Sequence, residues 1–103
     1  MYKTVILPAA KKDVTSAALW YNRQLAGLGK KFIFEVRQKL NFIKQNPKAI
    51  NVRYNNVRTA NLNIFPYMIH YIIDDKKHTI VVLAVFHTSR NPKEWEKRKK
   101  HLP

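Results

Sequence analysis

The run from Thr79 to Phe86, TIVVLAVF, constrains this chain more than any other segment. Side chains along an extended strand alternate between two faces, and this run is apolar on both, so each face needs cover. A strand of that kind belongs in the middle of a sheet. Ahead of it, Tyr67, Ile69, Tyr71 and Ile73 share one side of a second strand while Met68, His70 and Ile72 face the other. Asp74, Asp75, Lys76 and Lys77 supply the polar turn between them. The central strand then runs out into His87, Thr88, Ser89, Arg90, Asn91 and Pro92, a polar and basic exit held at the end of a rigid element.

The rest of the chain reads as the cover this hairpin needs. Tyr2 to Leu7 is a short strand, and Pro8 is suited to the first turn of a helix because its ring presets φ and its missing N–H is not needed there. From Ala9 to Leu25, the positions Ala10, Val14, Ala17, Ala18, Tyr21 and Leu25 recur at helical spacing and leave Lys11, Lys12, Asp13, Thr15, Ser16, Asn22 and Arg23 to solvent. Gly27 and Gly29 interrupt the pattern. A second helix, from Leu28 or Gly29 to Gln45, carries Phe32, Val36, Leu40 and Ile43 on its apolar stripe with Ile33 beside it, and Asn46 and Pro47 stop it. Between Ile50 and Leu62 alternation is poor, and we read a single strand. The expected architecture is α+β: an N-terminal strand, a helical hairpin, then a three-stranded antiparallel meander, making a sheet of about four strands.

A chain of 103 residues with 46% hydrophobic content supports one domain, 1–103, with one core. Twenty Lys and Arg against six Asp and Glu give a formal charge of +14, which repels itself and attracts polyanions or acidic proteins. The excess continues into a basic tail, 93–103, expected to stay mobile until it meets a partner. With no cysteine, disulfides and thiolate chemistry are excluded. The apolar run near the start is too short for a signal peptide, and no segment is long enough to span a membrane, so a cytoplasmic protein is expected. His70, His78, His87 and His101 show no metal-ligand spacing, and the only glycines are Gly27 and Gly29, so neither a metal nor a nucleotide cofactor is expected.

The order of elements, together with Val57 and Arg58, then Phe65, Pro66, Tyr67 and Tyr71, then His87, Arg90, Pro92 and Trp95, resembles the RelE/ParE superfamily of toxins from type II toxin–antitoxin modules of the plasmid-stabilisation type. The similarity covers nearly the whole chain. It implies a small mixed domain with an antiparallel-rich sheet, neutralised by a cognate antitoxin. Within the superfamily, the exit His87, Arg90, Pro92, Trp95 looks more like the ParE branch, which is associated with inhibition of DNA gyrase. Members that are ribosome-dependent mRNA endoribonucleases commonly carry an arginine where this chain has Met68, and several end near a tyrosine where this one reads His101, Leu102, Pro103. The resemblance therefore implies a growth inhibitor that binds gyrase. The alternatives are a ribosome-dependent endoribonuclease and a non-toxic member that only binds antitoxin.

Each reading names its residues. RNA cleavage would need His87 as acid or base, since a histidine pKa of about 6.5 lies near cellular pH, with Arg58 and Arg90 gripping phosphate. Target or antitoxin binding would use Tyr67, Arg90, Trp95 and Arg98. Against each stands a structural role: His87 capping the strand end, the arginines holding the tail, Tyr71 packing in the core and Trp95 docking the tail on the sheet. Trp20 and Tyr21 are adjacent on a helix and cannot share one core direction, which leaves one of them for the antitoxin to cover. An acidic, partly disordered antitoxin is the partner that a +14 surface fits.

Overall fold

The computed structural model describes residues 2–99. The chain enters along β1 (Lys3–Ile6), turns at Leu7 and starts α1 (Pro8–Gln24) on its proline; after Gly27, in the left-handed conformation at φ 90°, α2 (Leu28–Gln45) runs back. The Asn22 side chain fixes this reversal by accepting the N–H groups of Gly27 (3.2 Å) and Gly29 (2.9 Å). At Gly29 the two helices also pass close together: a Cβ there would lie 2.5 Å from the Ala18 carbonyl oxygen. Leu25, expected on the buried stripe, terminates α1 instead and is 63% exposed.

The sheet has five strands in the order β1-β5-β4-β3-β2, one more than expected. The segment read as one strand folds into a hairpin, β2 (Val52–Tyr54) and β3 (Val57–Asn61), because Asn55 adopts a left-handed φ of 49°, a conformation asparagine tolerates. β4 (Tyr67–Asp74) and β5 (Thr79–His87) are the hairpin seen in the sequence, with Lys77 N–H bound to Asp74 Oδ1 in the turn. β5 is an interior strand, antiparallel to β4 and parallel to β1, so its two-sided apolarity is explained.

Two layers cover that sheet. Ala10, Ala17, Phe32, Val36 and Ile43 of the helices pack on Ile69, Tyr71, Ile80, Val82 and Val85. On the opposite face Val57, Met68, Leu83, Ala84 and Phe86 surround Trp95, which belongs to α3 (Pro92–Lys99). The start of the basic tail is therefore a helix docked on the sheet; residues 100–103 of that tail lie outside the described residues. A bulge sets how β5 divides its side chains. His70 pairs with Ala84 but Tyr71 pairs with Val82, so Leu83 is the extra residue and parity flips there. Ile80 and Val82 face the helices before the flip, and Val85 does so after it.

Candidate functional site

The same flip places His87 beside Tyr67, its partner across the β4–β5 pair, with the ring centroids 5.2 Å apart. At this strand end the α1 residues Asp13, Ser16 and Trp20 come over Tyr67, Val85, His87 and Arg90, enclosing a cleft of about 280 Å³. His87 is exposed, and its Nδ1 accepts the Ser89 N–H at 3.1 Å and lies 2.7 Å from the Ser89 hydroxyl. Arg90 lies over the Phe86 ring at 4.1 Å, and its Nε donates to Glu94 Oε2 at 2.8 Å. Tyr67 is half-buried, and burial together with the nearby Asp13 charge raises its phenol pKa. Trp20 is 54% exposed, while Tyr21 packs against Phe32 and Phe65.

The other candidates are engaged elsewhere in the fold. Arg58 pairs with Tyr71 across β3–β4, and its guanidinium donates to the Ile50 carbonyl. That position is offset by four residues along β4 from Tyr67, so the Arg58 backbone stands about 13 Å along the strand direction from that of His87. Trp95 is 5% exposed and seats α3 on the sheet. Arg98 caps the part of β5 that β1 leaves uncovered. β1 pairing ends at Ile6 with Val82, and beyond it Arg98 Nη1 donates to the Leu83 carbonyl (3.0 Å) while Asp13 Oδ2 accepts the Val85 N–H (3.0 Å). Arg98 and Asp13 also pair directly, at 2.8 and 3.2 Å. Asp13, read from the sequence as solvated, is thus half-buried and joins α1, β5 and α3.

Two buried polar groups escaped the sequence reading. Glu35 is 8% exposed, and its carboxylate accepts the N–H groups of Asn63, Ile64 and Phe65 at 2.9 to 3.2 Å, fixing the loop between β3 and β4. The signal was present: Glu35 sits three residues after Phe32 and next to Val36, and Asp13 lies between Ala10 and Ala17, so both acids interrupt apolar stripes. His70, beneath α3, is fully buried; its Nδ1 lies 3.0 Å from the Tyr54 hydroxyl, and its ring contacts Phe86 and Trp95.

Burial, reinforced by the charges of Arg53, Arg98 and Arg90, lowers the His70 pKa from 6.5 to about 4. The folded state therefore keeps this imidazole neutral while the unfolded chain protonates it. The unfolded state binds the extra proton between those values, so stability falls as pH drops from about 6.5 to about 4, by up to about 3 kcal/mol from this group. Urea unfolding at pH 7 and pH 4.5 should show this loss in the native chain and a smaller loss in His70→Asn. An imidazole that titrates near 6.5 in the folded protein, read by NMR, would contradict the assignment.

The fold is that of the RelE/ParE superfamily. The isolated Escherichia coli RelE toxin superposes with a TM-score of 0.66 at 20% identity, covering 99% of this chain and 100% of that one. The chromosomal ParDE toxin–antitoxin system of P. aeruginosa matches at 0.66 and 17%, over 86% of this chain and 98% of that one. The intact E. coli RelBE toxin–antitoxin complex matches at 0.67 and 19%, over 87% and 100%. No curated protein sequence matches the chain. The family described as ParE toxin of type II toxin–antitoxin system, parDE, matches residues 5–92, and the chain belongs to that family.

Proposed function

We propose that this chain is a cytoplasmic, single-domain growth inhibitor, neutralised by a cognate antitoxin, that acts by binding DNA gyrase rather than by cutting RNA. The separation of Arg58 from His87 carries this reading. In-line cleavage needs a proton-transfer group and phosphate-binding cations converging within a few ångströms, and here one arginine holds the Ile50 carbonyl while the other holds Glu94. What remains at the strand end is the set of Trp20, His87 and Arg90, exposed, with the half-buried Tyr67, around a cleft, a composition common in protein recognition. The family match, to the ParE toxin of type II systems, supports the toxin class on which this reading builds. The likeness to RelBE and ParDE complexes supports an antitoxin partner.

The test compares two activities of the same purified chain. Inhibition of gyrase supercoiling, with ribosome-bound messages left uncut, is the expected result, and added antitoxin should restore supercoiling. Trp20→Ala and Arg90→Ala should weaken inhibition about tenfold or more, as loss of an anchor at a binding surface does. Messages cut at ribosomes with supercoiling unaffected would establish the endoribonuclease instead. A folded, soluble chain with neither activity and full antitoxin affinity would establish the non-toxic member.

A further inference from the structure

Away from the strand-end cleft, α2 and the loop after β3 present the apolar side chains Phe34 and Ile64 to solvent, 61% and 80% exposed. They line one hollow of about 440 Å³ together with Lys30, Lys31, Glu35 and Gln38. Ile64 is the most exposed of the large hydrophobic residues described, although its neighbours Leu62 and Phe65 are buried. A loop free to relax would turn such a side chain inward. This one is held by the Glu35 carboxylate, which takes the N–H groups of Asn63, Ile64 and Phe65 and so fixes the backbone on both sides of Ile64. Fixing an apolar group in its exposed position lowers the ordering cost that a partner would otherwise meet.

We propose that Phe34 and Ile64, rimmed by Lys30 and Lys31, form the docking surface for an acidic amphipathic segment of the antitoxin; this rests on the antitoxin reading above. Charge selects the occupant. A second copy of this chain would bring Lys30 and Lys31 against their own kind on a molecule of formal charge +14, whereas an amphipathic segment with acidic flanks meets both the apolar pair and its basic rim. Such a segment lays spaced apolar residues into a groove, and the hollow between α2 and the loop accommodates them. The strand-end cleft is lined by none of these residues, so antitoxin can occupy this surface without filling that cleft.

The probe is the purified cognate antitoxin, titrated against the full chain. Phe34→Ser and Ile64→Ser should each weaken binding about tenfold or more while melting as the native chain does. Val52→Ser, which alters another exposed apolar residue at 48% exposure on β2, should leave affinity unchanged. Lys30→Glu with Lys31→Glu should weaken binding most at low salt and flatten its salt dependence. Native-like binding by both serine variants overturns this surface and leaves the antitoxin reading standing. Failure of the native chain to bind overturns both. A native dimer in sedimentation that Ile64→Ser dissociates assigns the surface to a second copy and overturns the proposal.

Discussion

Trp95→Ala is expected to destabilise the protein by about 3 to 5 kcal/mol, the usual cost of removing a large buried aromatic side chain. α3 has eight residues, PKEWEKRK, and beyond the proline that opens it Trp95 is its only apolar side chain. An isolated helix of that length does not persist in water, so α3 exists because Trp95 fills the space among Val57, Met68, Leu83, Ala84 and Phe86. Losing the anchor should also release Arg98, leaving the Leu83 carbonyl without its cap and Asp13 without its charge partner. For a domain whose whole stability is of the order of 5 to 15 kcal/mol, this removes about a fifth of it or more. Urea unfolding measures the loss, and hydrogen exchange at Leu83 to Val85 should accelerate. Trp95→Phe should recover most of the stability. A loss under about 1 kcal/mol with native exchange would show that Trp95 is not what holds α3.

Glu35→Ala should cost about 3 kcal/mol or more, because it strands three backbone donors that the carboxylate now satisfies. Glu35→Gln should rescue little of this. An ionised carboxylate only accepts, which matches three N–H groups, whereas the amide turns two donors of its own towards them. Denaturation gives the magnitude. Faster exchange of the Asn63, Ile64 and Phe65 amides, with the β4–β5 pair still protected in Glu35→Gln, would locate the loss in the loop. Unchanged protection of those three amides in Glu35→Ala would contradict it.

Both effects show where sequence pattern stops. The hairpin from Tyr67 to Phe86, the helix start at Pro8 and the helix stop at Asn46 and Pro47 are legible because each follows from local chemistry: period-two apolarity, a preset φ, a missing N–H. The burial of Tyr71 and the opposite facing of Met68 follow from the same alternation. The extra strand was not legible, since the poor alternation from Ile50 to Leu62 conceals a turn made by one left-handed asparagine. Nor was the role of Asp13, whose partner Arg98 lies 85 positions away. The charge at position 13 marks an interruption of the stripe, but only the docking of α3 identifies what meets it.

By itself, then, the sequence determined the α+β class, the opening strand and helical hairpin, and the two-sided strand, because these rest on short-range periodicity, while the superfamily entered through the resemblance of residues spread from Val57 to Trp95. The tertiary structure decided which of the candidate residues meet. One extra residue at Leu83 turns the end of β5 so that His87 faces Tyr67 and α1. Pairing register places Arg58 beside Tyr71 and out of reach of His87. Both outcomes depend on strand register, and a shift of one residue exchanges the two faces of a strand while leaving its apolar content unchanged.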